Sequence, residues 1–218
     1  METIMSKEQR IISAAEQVFS KHGYEKSTVD EIIALADVGK GTLYKYFGNK
    51  EQLFYQLVMK KNVLFVASLD AAVVAATGFE NKLVAFLTEM ITFYKANAAL
   101  WQIICFEMLG SSSGCMVRNV DGVPTVVSRY EVTPTEEQKE LMIRYHMLLQ
   151  SEFSILQRLI EEGTDAGVLK RGDAEVETMY LFFGVAMCIF HPHTVVEQAD
   201  PVTMARKVAD SWLRGFQI

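Results

Sequence analysis

The sequence predicts an all-α protein of about nine helices. Three observations carry that expectation. Apolar residues recur at i, i+3, i+4 and i+7 along most of the chain, the spacing of one buried helical face. Capping chemistry stands ahead of these stripes, with Thr28, Asn49, Asp173 and Asp200 each just before a helical run. Signals for β-structure are confined to a single stretch between Gly110 and Thr133.

The first helix is expected from about Lys7 to Lys21, on an apolar face of Ile11, Ile12, Ala15, Val18 and Phe19, with Gly23 as its C-cap. The second carries Val29, Ile32, Ile33 and Ala36. Thr28 ahead of it and Glu31 three residues on have the pattern of a capping box. A turn, Ala36-Asp37-Val38-Gly39, leads into a third helix from about Lys40 to Phe47. That helix is too short to fold alone and needs packing from its neighbours. Leu43 and Phe47 form its narrow apolar seam, while Lys40, Thr42, Tyr44, Lys45 and Tyr46 crowd the rest. Two anchors beneath a face of cations and hydroxyls suit insertion into a DNA groove.

Asn49 caps a fourth helix that starts at Lys50, carries Leu53, Phe54, Leu57 and Val58, and continues past Leu64 towards Gly78. From Phe79 to Leu109 two helices are expected, broken near Asn97. Gly110 to Thr133 is rich in Gly, Ser and Val and reads as a long, partly mobile connection. Asp121-Gly122 between valines marks a hairpin turn there, and Pro124 weakens any strand. Thr133-Pro134-x-Glu136 starts a long helix that ends near Ala166, before Gly167. Asp173 caps the next, stopped after Phe190 by His191-Pro192-His193. Asp200-Pro201 opens the last, with Ala205, Val208, Ala209, Trp212, Leu213 and Phe216 as a regular stripe.

Three separated blocks now stand in order. They are Phe19-x-x-x-Gly23-Tyr24-x-x-x-Thr28-Val29, then Gly41-Thr42-Leu43-Tyr44-Lys45-Tyr46-Phe47, then Asn49-Lys50-Glu51-x-Leu53-Phe54. Together they resemble the N-terminal domain of the TetR/AcrR family of bacterial transcription regulators, over roughly Glu8 to Leu57. Asp37 stands where that pattern has a turn glycine, and Gly39 where it has a capping serine. Asp tolerates left-handed backbone and Gly is an acceptable cap, so both departures fit the fold.

The resemblance implies a three-helix helix-turn-helix domain over residues 1–50 and a helical effector-binding and dimerisation domain over 51–218. It implies a ligand-responsive, DNA-binding regulator, a repressor in most of the family, that binds an inverted-repeat operator as a homodimer. Carried over from the motif, Thr28 and Lys50 grip phosphates at helix starts, and Tyr44 and Tyr46 hydrogen-bond phosphates. Lys40 reaches a phosphate or a guanine edge, Gly41 permits close approach, and Thr42 meets a base. Dimerisation falls to the last two helices, with Val208, Trp212 and Phe216 at the interface. The implied effector pocket lies among the large soft side chains of the middle helices. These are Met90, Phe93, Tyr94, Trp101, Cys105 and Met108, then Met142, Tyr145, His146, Leu149 and Phe153, then Met179, Phe182 and Phe183. Met and aromatics suit a cavity that adapts to an apolar guest, so a mostly hydrophobic effector is expected, whose binding releases the operator by linkage.

Charge and motifs narrow the classes further. The net charge is −6, but residues 1–61 hold nine Lys and Arg against eight Asp and Glu, and residues 62–218 hold twelve against nineteen. The acidic excess therefore lies outside the DNA-reading segment. The three cysteines, Cys105, Cys115 and Cys188, are too few and too scattered for a disulfide framework or a zinc site. No Walker loop, Cys-x-x-Cys, Gly-x-Ser-x-Gly, His-Glu-x-x-His or Glu-x-x-His pair occurs, so neither an enzyme, a metal nor a cofactor is expected. The N-terminal residues lack a signal-peptide layout and the apolar runs are broken by charges, so a cytoplasmic protein without membrane spans is expected.

Overall fold

A computed structural model of the chain describes residues 5–108, 114–128, 133–191 and 199–216. Among the described residues there are nine α-helices and one two-stranded antiparallel sheet. In chain order these are α1 (Lys7–Lys26), α2 (Val29–Ala36), α3 (Lys40–Phe47), α4 (Lys50–Ala75), α5 (Phe79–Ala96) and α6 (Ala98–Met108). Strands β1 (Cys115–Val120) and β2 (Val123–Ser128) follow, then α7 (Glu136–Asp165), α8 (Ala174–Phe190) and α9 (Pro201–Phe216). No described helix is long and apolar enough to cross a membrane. The chain divides into two compact units. One comprises the residues up to Val63 with Ala99–Ile104, the other Leu64–Ala98 with the residues from Cys105 onward.

In the first unit local chemistry sets each boundary. Ser6 and Gln9 form a capping box at the head of α1. Gly23 leaves helical geometry (φ 73°, ψ 170°), and one further turn runs to Lys26. The expected stop at Gly23 is thus a kink inside α1. Thr28 and Glu31 close the capping box of α2. Asp37 sits in the left-handed region (φ 50°, ψ 57°) after α2, as the departure from glycine requires. Asn49 Oδ1 accepts from the Gln52 N–H at 2.7 Å and caps α4. Ile11, Phe19, Ile32, Leu43, Leu53 and Phe54 are fully buried. Phe19 meets Phe54 edge-on at 5.3 Å between ring centroids. Each such side chain is worth about 1.5–3 kcal/mol of burial, which is what holds the eight-residue α3 helical.

In the second unit α5 packs on α9, α7 and α8, and α7 packs on α8. Phe65 stacks on Phe93 at 3.8 Å. Gly163 lets α7 approach the start of α5, because a Cβ there would stand 2.6 Å from the Phe79 ring. Thr135, not Thr133, caps α7. Its hydroxyl takes the Gln138 N–H while Gln138 returns a bond to the Thr135 N–H. The Gly110–Thr133 stretch, read as a connection, contains a regular hairpin that packs on α7. Asp121 (φ 51°) and Gly122 (φ 83°) supply the two left-handed residues of its turn. Val120 and Val123 close that two-residue loop, so Asn119 and Pro124 face each other as the next, non-hydrogen-bonded pair. Proline needs no ladder N–H at such a position, and the strand survives it.

Candidate functional site

Helix α3 presents its residues as the sequence suggests. Leu43 and Phe47 are buried anchors, and Lys40, Gly41, Tyr44, Lys45 and Tyr46 are exposed. Thr42 is half-buried. A Cβ on Gly41 would meet nothing within 4 Å, so its surface is open to a close-approaching partner. Thr28 is exposed at the head of α2. Its hydroxyl and its backbone N–H both donate to Glu31 at 2.9 Å. Those two bonds, the backbone one first, hold the Glu31 carboxyl below the usual range.

Two cations of this surface are already engaged. Lys40 Nζ lies 3.0 Å from Asp30 Oδ1, and that carboxylate raises the Lys40 pKa. Lys50, expected to grip a phosphate, turns inward. Its ammonium donates to the Tyr24 carbonyl at 2.8 Å and to the Ser27 carbonyl at 3.0 Å, and lies 4.3 Å from the Tyr24 ring centroid. Arg10 pairs with Asp37 at 3.2 Å. Asp30, Asp37 and Arg10 were not among the expected site residues. No spacing rule flags them, since each pair joins two different helices or a helix and a turn.

In the second unit eight of the expected pocket residues are buried: Met90, Tyr94, Cys105, Met142, Tyr145, Leu149, Phe153 and Phe182. Phe93, His146 and Phe183 are half-buried. Two others stand apart. Met179 is 45 % exposed, on the outer side of α8. Trp101 is buried but belongs to the first unit with Ala99–Ile104. The Met108 side chain, residues 110–113 and 129–132 of the Gly110–Thr133 stretch, and Pro192 and His193 lie outside the described residues.

The rings pack on one another, with Phe153 against Phe182 at 4.3 Å and Phe182 edge-on to Tyr94 at 6.0 Å. Among them sits Glu152, fully buried, accepting from the Tyr94 hydroxyl at 2.7 Å. Burial pushes the Tyr94 phenol and the Cys105 thiol up, and the Glu152 charge pushes both further. A carboxylate reads as a surface residue in a sequence. Its place seven residues after Tyr145 and three after Leu149, on the same apolar stripe, is the signal that marks it.

An apolar groove of about 650 Å³ runs along α8 and α9. Val208 and Trp212, both expected at an interface, line it, together with Tyr180, Gly184, Val185 and Cys188 of α8. Phe216 stacks on Trp212 at 4.7 Å.

Residues 11–57 match the family model for bacterial regulatory proteins of the tetR family. The HTH-type transcriptional regulator YhgD of Bacillus subtilis is 47 % identical over 47 residues, which span 22 % of this chain and a quarter of that protein. The fatty acid metabolism regulator protein of Bacillus subtilis is 24 % identical over 163 residues, 75 % of this chain and 71 % of that protein. Among solved structures, the transcriptional regulator FadR from Bacillus subtilis in complex with stearoyl-CoA superimposes with a TM-score of 0.70 at 21 % identity, over 94 % of this chain and 97 % of that one. A tetR-family regulatory protein from Rhodococcus RHA1 reaches 0.72 at 21 % identity, over 96 % of each chain.

Proposed function

We propose that this chain, which belongs to the TetR family of bacterial transcription regulators, is a homodimeric repressor released from an inverted-repeat operator by a long-chain acyl effector. The observation that carries the DNA-reading part is α3 itself. Buried Leu43 and Phe47 hold up an exposed Lys40, Gly41, Tyr44 and Tyr46, beside a half-buried Thr42. In this reading α3 enters the major groove, Tyr44 and Tyr46 bond phosphates through their hydroxyls, and Thr28 binds at the head of α2. Lys50 acts through the corner it holds together.

The α8–α9 groove supports a dimer. A single recognition helix binds weakly, whereas two on a two-fold axis read half-sites a helical turn or more apart. Apolar faces on two helices per copy suit a four-helix interface. The effector class rests on the interior of Met, Phe and Tyr and on the likeness to the Bacillus subtilis fatty acid regulator. Effector and operator then select different states of one protein, with a coupling of about 1–3 kcal/mol. Helix α4 contributes residues to both units and is the element through which that coupling passes.

The test begins with genomic fragments retained by the purified protein, followed by anisotropy titration of the recovered duplex with stearoyl-CoA, stearate or coenzyme A present. Release by the acyl compounds and not by coenzyme A supports the reading. Release by coenzyme A alone, or by polar metabolites alone, sinks the effector assignment. Tyr44→Phe should weaken operator binding several-fold with an unchanged melting curve. Unaltered affinity would remove Tyr44 from the contact set.

A further inference from the structure

Lys40 is the first residue of α3, and its Nζ is held at 3.0 Å by Asp30 Oδ1 from the first turn of α2. Both side chains are solvent-accessible, 54 % and 73 % exposed, so the pair exchanges readily with other partners. Asp30 also borders a recess of about 440 Å³ at the head of α3, which Ile33, Val38, Gly39 and the almost fully exposed Asp37 complete. A cation at the tip of a reading helix is thus tied to one carboxylate and lies beside a recess that a second one borders.

Non-specific affinity for duplex DNA grows with the number of cations that reach phosphates. A carboxylate that occupies one of those cations, and repels the backbone itself, removes affinity from every sequence alike. A base edge that accepts from Lys40 recovers the loss at the right sequence only. We propose that Asp30 is a specificity-determining residue of the DNA reader, one that withholds the Lys40 ammonium from phosphates and releases it to a base edge in the operator. This inference rests on the DNA-reading assignment above.

The experiment compares the wild-type chain, Asp30→Asn, Lys40→Met and the double variant. Anisotropy titrations against the recovered operator and a random duplex of equal length are run from about 50 to 200 mM salt. For Asp30→Asn the expected result is several-fold tighter binding to the random duplex, with a salt slope steeper by about 0.9. Operator binding should tighten less, so the ratio of specific to non-specific affinity falls. In the Lys40→Met background, Asp30→Asn should leave the slope unchanged. An Asp30→Asn protein with unaltered slope and ratio, or with a raised ratio, overturns the proposal. So does a steeper slope that persists without Lys40. Circular dichroism melts establish folding, and Asp30→Gln replaces a variant that melts early. A wild-type protein that binds neither duplex in a salt-dependent way would refute the DNA-reading assignment itself, a result distinct from failure of Asp30→Asn alone.

Discussion

Lys50→Met separates a phosphate grip from a structural pin. In the structure the Lys50 ammonium donates to two carbonyls at the end of α1, Tyr24 at 2.8 Å and Ser27 at 3.0 Å, and lies over the Tyr24 ring. Those carbonyls lie where a helix runs out of its own donors, and a cation there also meets the negative end of the helix. Ser27 is itself buried and donates to the Val18 and Gly23 carbonyls, so the corner is a connected network. Two charge-assisted bonds in a half-exposed setting contribute about 1 kcal/mol each, and the cation–π contact about 0.5–1 kcal/mol. Removing a cation from the positive end of α4 returns less than about 1 kcal/mol. The net cost is about 2 kcal/mol, a fall in Tm of roughly 4–8 °C for a chain of this size. Urea unfolding followed by circular dichroism measures the loss, and anisotropy against the operator at several salt concentrations measures the phosphate count. A loss below about 0.5 kcal/mol, with a salt slope shallower by about 0.9, would refute the pin and return Lys50 to the phosphates.

Tyr94→Phe keeps the ring on Phe182 and Phe190 but removes the hydroxyl that donates to buried Glu152. The expected cost is about 1.5–3 kcal/mol, or roughly 3–12 °C in Tm at fixed protein concentration, and a change below 1 °C would contradict it. His146 gives a pH dependence. Burial holds its pKa below the ordinary histidine value, so between the folded and unfolded pKa values the unfolded chain binds the proton that the folded chain resists. Stability contributed by the neutral ring is therefore present above about pH 6.5 and is lost as the pH falls below it. His146→Leu should flatten the difference in Tm between pH 7.5 and pH 5.5. Because Nδ1 is buried without a hydrogen-bond partner among the described residues, the variant should also gain about 1 kcal/mol at neutral pH. An unchanged pH slope in melts of the variant would count against the assignment.

The helix starts were legible in the sequence because capping is settled within four residues. Thr28 with Glu31, Asn49, Asp173 and Asp200 all sit at the helix heads where their side chains place them. Even the choice of Thr135 over Thr133 is local, since Gln138 stands at the position that completes the box. The hairpin turn was equally local in Asp121-Gly122, but the pairing that tolerates Pro124 was not, because a register exists only between two strands. Helix α3 was legible as Leu43 and Phe47 under a polar face.

What the tertiary structure decided is which charges meet. Asp30 and Lys40 are ten residues apart, and Lys50 finds carbonyls 23 and 26 residues back. Tyr94 and Glu152 are joined across 58 residues. In α8, apolar residues surround much of the helix, so side-chain type alone grouped Met179 with Phe182, while packing leaves Met179 exposed and Phe182 buried. The chain's own sequence determined where helices begin, what they bury at their anchors and the tetR-type pattern of residues 11–57. Partner choice, and with it the electrostatics around α3 and the acid in the core, came only from folding, because it depends on separations that no local pattern encodes.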